Sequence, residues 1–313
     1  MTARPLISLV VPAFNEEEVL EEFHRAVSGV LATMDADAEF VFVDDGSRDR
    51  TKLIIESLAA TDSRVRGVVL SRNFGHEAAI EAGLRAARGD AVVVMDADLQ
   101  DGPEVIPSLV DEWRGGWDVV YAVRADRKEG RLLRSAFSIF YRLAGRVMSI
   151  DLPRDAGPFC LMDRRAVDVL NGMPEKGRYF PGLRAFVGFR QKGVRAERHE
   201  RQAGETKYSF VKRTLGATNA VFSFSKMPLR LISILGFVMT VLAMAGLVWV
   251  IIASLLDSEF ERGWASLMVV QLLVAGFIFF FLGILGEYIG KIYDEARARP
   301  NYIVAEMIGD GDR

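Results

Sequence analysis

The chain has 313 residues, with 39 Lys and Arg against 42 Asp and Glu, a net charge of -3 and a pI near 5.8. This balance argues against nucleic acid as a partner. The single cysteine, Cys160, excludes an internal disulfide framework and suits a reducing compartment. No signal peptide is expected, because the apolar run Leu6 to Val11 is short and leads straight into Pro-Ala-Phe-Asn-Glu-Glu. The amino-terminal part is therefore expected in the cytoplasm.

Leu6 to Val11 reads as a strand ended by Pro12. Glu16 to about Met34 has helical spacing of Val19, Leu20, Phe23, Val27, Val30 and Leu31, with acid in its first turn. Glu39 to Val43 is a second strand, leading into Asp44-Asp45-Gly46-Ser47, and Arg50 to about Ala60 a second helix. Val65 to Leu70 is a third strand, followed by Arg72-Asn73-Phe74-Gly75-His76-Glu77 and a helix to about Arg88. Ala91 to Met95 is a fourth strand, apolar throughout, as the centre of a parallel sheet requires. Strands alternating with helices predict a mainly parallel sheet covered on both faces. Ligands of such sheets bind beyond the carboxyl ends of the strands. The polar clusters Asn15-Glu16, Asp44-Asp45, Arg72-Asn73 and Asp96-Asp98 fall at those ends, which predicts one active crevice. No Gly-x-Gly-x-x-Gly follows the first strand and no Walker lysine motif occurs, so a dinucleotide-binding Rossmann domain and a P-loop are disfavoured.

Asp96, Asp98 and Gln100 stand two residues apart. Extended backbone puts alternate side chains on one face, so these three are expected to converge. Such oxygen ligands suit a hard divalent ion, Mg²⁺ or Mn²⁺, which can hold a diphosphate.

Asp118 to Val123 is expected as a fifth strand leading to Arg124. Residues 131–150 read as a basic amphipathic helix suited to a membrane interface. Asp151 to about Asp163 is expected as a loop with a short strand, Arg164 to about Asn171 as a helix, and Gly193 to Glu200 as an edge strand. Arg201 to Tyr208 reads as a polar loop over the crevice, and residues 209–228 as a juxtamembrane amphipathic segment. Leu231 to Leu256 carries no charge, and Trp264 to Gly286 is interrupted only by Gln271. Both are long enough to cross a bilayer core of roughly 30 Å, so a two-helix hairpin over 229–290 is predicted. The outer flanks carry Lys226, Arg230, Lys291, Arg297 and Arg299, whereas the connection is acidic. That asymmetry puts both flanks, residues 1–208 and the tail 291–313 in the cytoplasm, on a multi-pass inner (plasma) membrane protein.

The series Val10-Val11-Pro12-Ala13-Phe14-Asn15-Glu16-Glu17, Asp44-Asp45-Gly46-Ser47, Ser71-Arg72-Asn73-Phe74-Gly75 and Asp96-Ala97-Asp98-Leu99-Gln100-Asp101 resembles the motifs of family 2 glycosyltransferases with a GT-A fold. Arg201 to Tyr208 and the two terminal spans are similar to the polyprenyl-phosphate branch, which includes dolichol-phosphate mannose synthase and bacterial undecaprenyl-phosphate glucosyltransferases. The resemblance implies a Rossmann-like α/β domain with a mixed, mainly parallel sheet and helices on both faces. It implies a nucleotide-diphospho-sugar donor, UDP-glucose or alternatively GDP-mannose, a polyprenyl phosphate acceptor, and contact with membrane lipids. It leaves the oligomeric state open, a homo-oligomer included.

The resemblance also implies residue roles. Pro12, Ala13, Asn15 and Glu16 would line the nucleotide pocket, with Asp45 and Gly46 beside them and Asp45 accepting from the base imide. Asp96 would touch the ribose or the metal, and Asp98 and Gln100 would hold the metal on the diphosphate. Arg124 would meet the lipid phosphate, with Arg134 and Ser138, four apart on one helix face, as its partners. Arg201 and Lys207 would steady a phosphate. Two departures stand out: relatives often carry an acid where this chain has Pro158 and an arginine where it has Cys160. The acid has been considered a base in relatives. A phosphate acceptor is already an anion near pH 7 and needs none, so activity is expected despite Pro158. A diacylglycerol hydroxyl would need one, and Asp155 is the nearby candidate. The remaining rival is a non-catalytic membrane protein that binds a sugar nucleotide and acts by partnering.

Overall fold

The structure of the protein, a computed structural model, describes residues 4–124, 156–176, 178–196, parts of 232–252, and 263–309. These residues belong to two compact units. One holds every described strand and includes residues 300–309; the other holds the apolar helical residues up to 299.

The first unit is an eight-stranded sheet. Its strands are β1 (Leu6–Ala13), β2 (Asp37–Asp44), β3 (Val65–Leu70), β4 (Ala91–Val94), β5 (Val119–Arg124), β6 (Ala156–Asp163), β7 (Gln191–Ala196) and β8 (Val304–Ile308). Their order across the sheet is β7-β5-β6-β4-β1-β2-β3-β8. β3, β2, β1 and β4 are parallel, while β6 runs antiparallel to both β4 and β5, and β8 antiparallel to β3. The mixed, mainly parallel sheet is as expected. The chain reverses its direction of travel across the sheet between β2–β3 and β4, with β1 between them. Sheets of this kind bind ligands beyond the strands' carboxyl ends at such a switch point.

Helices cover both faces. α1 (Leu20–Leu31) buries Leu20, Phe23, Val27 and Leu31, a stripe at helical spacing, and Glu21 and Glu22 complement the dipole in its first turn. Each such side chain contributes roughly 1.5–3 kcal/mol on burial. Phe23 meets Phe42 of β2 edge to face at 6.2 Å. The helix starts later than the sequence suggests, because the Glu16 and Glu17 backbone N–H groups are drawn to Thr51 Oγ1 and Asp49 Oδ2. α2 (Thr51–Thr61) follows β2, and α3 (His76–Ala86) follows β3. α3 lies so close on its face that a Cβ at Gly83 would sit 2.2 Å from Val10 Cγ1, so only glycine permits the approach. α4 (Ile106–Arg114), α5 (Arg164–Gly172) and α6 (Phe180–Phe186) complete the unit.

Several elements differ from expectation. The segment before Asp163 is an eight-residue strand rather than mostly loop, because pairing on both sides by β4 and β5 satisfies its backbone. The edge strand β7 begins at Gln191, earlier than the expected Gly193, and the remainder of its expected span, 197–200, lies outside the described residues. The C-terminal tail, given no element in the sequence reading, supplies β8. Only Ile308 of that strand is buried, so its hydrophobic signal is weak.

Among the described residues of the second unit, one helix, α7 (Trp264–Ala296), includes a stretch, Val274–Ala296, long and apolar enough to cross a membrane. Its 33 residues rise roughly 50 Å, beyond a bilayer core. It does not stop at Gly286 as expected, since Glu287, Lys291 and Asp294 continue it with ordinary helix formers. Phe279 and Phe280 are among its exposed aromatic residues. The expected first span, 231–256, lies largely outside the described residues, although 234–239 are helical. The interfacial helix 131–150 and the segment 209–228 also lie outside them.

Candidate active site

A cleft of about 500 Å³ opens at the carboxyl ends of β1, β2 and β3, lined by Phe14, Asn15, Asp44, Gly46, Ser47, Arg48, Lys52 and the Val69–Asn73 segment. Its walls are stitched by short polar bonds. Asn15 takes a left-handed conformation (φ 54°), which its side chain tolerates. Its N–H donates to Ser47 Oγ at 2.9 Å, and its Oδ1 accepts from the Arg48 N–H at 2.9 Å. Asp44 Oδ1 accepts from the Ser47 N–H at 3.0 Å, the local turn that Asp favours. Gly46, at φ 67°, lets this turn approach the next loop: a Cβ there would lie 2.4 Å from the Arg72 carbonyl carbon. Arg72 in turn lies 4.3 Å over the Phe74 ring.

Asp45 stands behind this wall. Its Oδ1 accepts from the Phe74 N–H at 2.7 Å and its Oδ2 from the Gly75 N–H at 2.9 Å. Burial raises its pKa, with those two N–H groups acting in the opposite direction. Of the residues expected at a nucleotide pocket, Asn15 and Gly46 line this cleft. Pro12 and Ala13 are buried at the end of β1, and Glu16 caps the turn before α1 through its carbonyl.

The acid turn follows β4. β4 ends at Val94, and residues 97–100 turn rather than extend. The expected strand alternation of Asp96, Asp98 and Gln100 is therefore corrected. Asp98 Oδ1 accepts the Gln100 N–H at 3.2 Å, and Leu99 sits at φ 53°, a strained value for a bulky residue. Asp96 Oδ1 lies 3.4 Å from His76 Nε2 at the start of α3. The adjacent Glu77 accepts the Phe180 N–H at 2.8 Å, and burial raises its pKa. Among the described residues no three His, Cys, Asp or Glu side chains gather into a metal cage. Two carboxylates and an amide within five residues still fit Mg²⁺ or Mn²⁺ chemically. Such ions are commonly held by one or two carboxylates together with substrate phosphates.

Arg124 closes β5, its backbone opposite Ala196. Arg134, Ser138, Asp155, Arg201 and Lys207 lie outside the described residues. Pro158 and Cys160 stand in β6, where Cys160 pairs with Val94 and Tyr121 and is wholly buried. Burial raises its thiol pKa, with the neighbouring Arg184 acting the other way. The sequence reading missed Phe14, Lys52 and His76 as site residues, although Phe14 and His76 stand within or beside its motifs.

Acids and amides gathered at the carboxyl ends of a sheet ordered β4-β1-β2-β3, with an Asp-x-Asp turn after β4 and a cleft at the ends of β1, β2 and β3, define a GT-A-type transferase of activated sugars. The chain belongs to glycosyl transferase family 2: residues 8–170 match that family. It is a glycosyltransferase. It is 42% identical over 303 residues to the "Uncharacterized glycosyltransferase YkcC" of Bacillus subtilis, covering 96% of this chain and 94% of the relative. It is 40% identical over 299 residues to the bactoprenol glucosyl transferase of Shigella phage SfV, covering 95% and 97%. A solved structure of glucosyl-3-phosphoglycerate synthase from Mycobacterium tuberculosis, with Mg²⁺ and UDP, covers 69% of this chain and 78% of its own at 17% identity and a TM-score of 0.48.

Proposed function

We propose that this protein transfers one hexose, with inversion, from UDP-glucose to a polyprenyl phosphate at the cytoplasmic face of the inner membrane. The observation that carries this reading is the end-to-end similarity, at 40% identity, to proteins named bactoprenol glucosyl transferase. That similarity spans both the sheet and the apolar helix. The product is a lipid-linked sugar for later use in the cell envelope.

The site residues divide the work. The cleft of Phe14, Asn15, Gly46 and Arg48 takes the nucleoside, and Asp45 fixes the 72–75 loop that borders it. Asp96, Asp98 and Gln100 would hold Mg²⁺ or Mn²⁺. When bound, the ion neutralises charge on the donor diphosphate and supports its departure. An oxygen of the lipid phosphate forms a bond to the anomeric carbon. The bond from that carbon to the diphosphate oxygen breaks, and its electron pair leaves with UDP. No proton has to be removed, because a phosphate monoester has a second pKa of about 6 and is already anionic near pH 7. The protein therefore has to orient two anions and screen their repulsion. Pro158, which cannot act as a base, is compatible with this chemistry. Arg124, Arg134 and Ser138 are the residues proposed to meet the acceptor phosphate, and Arg201 and Lys207 to steady a phosphate from the covering loop.

The test is a radiolabelled transfer assay with full-length protein in lipid, a panel of UDP- and GDP-sugars, polyprenyl phosphate and Mg²⁺ or Mn²⁺. Lipid-linked glucose formed from UDP-glucose is the expected product. Folded protein that makes no lipid product from any donor overturns the reading, and a GDP-mannose preference corrects the donor.

A further inference from the structure

Arg66, Arg178 and Arg184 have buried side chains, and their environments differ. Arg66 lies 3.4 Å from Glu39, and Arg178 lies 3.3 Å from Glu81. Arg184, fully buried, has no acid partner among the described residues. One terminal nitrogen donates to the Gly157 carbonyl at 2.9 Å. The guanidinium lies 4.9 Å from the Tyr121 ring centroid and beside the Cys160 thiol. Its Nε and other terminal nitrogen have no hydrogen-bond partner. A buried cation with unused donors and no counter-charge is unfavourable, and an apolar side chain would fill the same space at lower cost. Stability alone does not account for it.

Its place in the sheet suggests what does. The antiparallel pairing of β4 with β6 ends at Val94 and Cys160, so Asp96 and Pro158, each two residues beyond it, lie at the same end of the sheet. The pairing of β6 with β5 slips between Tyr121 and Val123, and Arg184 holds the Gly157 carbonyl within that irregular stretch. Bulges of this kind re-aim side chains beside active sites. The helix carrying Arg184 is tied to the same end of the sheet. Phe180, one turn earlier, donates its N–H to Glu77, and His76 faces Asp96. In strand order the nucleotide cleft lies on the β1–β2–β3 side of Asp96, whereas Arg184 lies on the β6–β5 side.

We propose that Arg184 is a positioning residue for the acceptor: it fixes the Gly157–Pro158 stretch at the Asp96 end of the sheet, and its charge, which no acid among the described residues pairs, makes that side of the crevice favour an anionic acceptor, a phosphate monoester. The inference rests on the transfer reaction proposed above and assigns its two substrates to opposite sides of the Asp96 strand.

The experiment compares Arg184→Lys, Arg184→Gln and Arg184→Met in the full-length protein, measuring KM for polyprenyl phosphate and for the sugar nucleotide separately. Met fills most of the space of the arginine stem, so the Lys–Met comparison stands even if Gln impairs folding. Gln and Met are expected to raise the acceptor KM roughly tenfold or more while the donor KM stays near wild type, and Lys to recover much of the loss. An equal rise in both KM values, a fall in kcat alone, or wild-type kinetics in the Met variant overturns the proposal. Wild-type protein that transfers no sugar to polyprenyl phosphate overturns the proposed function itself, a result distinct from transfer that is indifferent to Arg184.

Discussion

Lys52, in the first turn of α2, and Glu306, in the C-terminal strand β8, meet at 2.7 Å across 254 residues of chain. Lys52 lines the cleft at the ends of β1, β2 and β3, so strand β8 supports one wall of the proposed donor site. The pair is exposed, and screening makes it a weak source of stability. Ile308 anchors the same strand more firmly. It is 9% exposed and lies against Gly67, where a Cβ would come within 3.0 Å of the isoleucine side chain.

Glu306→Gln is therefore expected to leave the urea midpoint close to wild type. Ile308→Ala is expected to cost about 2–3 kcal/mol, as cavity-forming substitutions do. Urea unfolding of both variants checks the contrast. Equal loss from both would mean that the ion pair holds β8 as firmly as the apolar contact.

Asp45 uses both carboxylate oxygens to accept the Phe74 and Gly75 N–H groups. Asparagine would offer one oxygen and turn an NH₂ toward the other N–H. Asp45→Asn is expected to cost about 1–3 kcal/mol through the unsatisfied donor and to weaken sugar-nucleotide binding as the 72–75 loop shifts. Calorimetric titration with UDP-glucose alongside thermal melting measures both effects.

Asp98→Ala is expected to lower turnover by about a hundredfold or more, because charge stabilisation at the leaving diphosphate is lost. Its melting temperature without metal is expected to stay near that of the parent. Chelation of divalent ions is expected to abolish wild-type turnover, and Mg²⁺ or Mn²⁺ to restore it. Leu99→Gly is a sharper probe. Leu99 holds φ 53°, so glycine is expected to relieve about 1 kcal/mol of strain while loosening the turn. Higher stability with lower kcat would show that this strain preorganises the acids.

Asp62 carries a pH prediction away from the crevice. Arg64 hydrogen-bonds its carboxylate and lowers its pKa to about 2, with His24 bonding the same group. A folded pKa below the unfolded value means stability that is fully present above about pH 4 and is lost as pH falls toward 2. With allowance for solvent screening, Asp62→Asn is expected to cost about 1 kcal/mol at pH 7. The gap between variant and wild type should close in unfolding curves taken toward pH 2.

The sequence by itself determined the alternating strands and helices from Leu6 to Val94, because buried parallel strands and amphipathic helices write their periods directly into residue order. It also determined that polar motifs gather at the strand ends, and that Trp264 onward is apolar enough to cross a membrane. Tertiary structure decided what depends on partners distant in the chain. β6 becomes a full strand only between β4 and β5. β8 has little apolar signal and exists because β3 offers an unpaired edge. The Asp96–Gln100 segment turns where local alternation suggested extension, since the pairing that kept β4 extended ends at Val94. Arg184, unremarkable in sequence, acquires meaning only when the fold buries its charge beside Gly157 with no acid partner among the described residues.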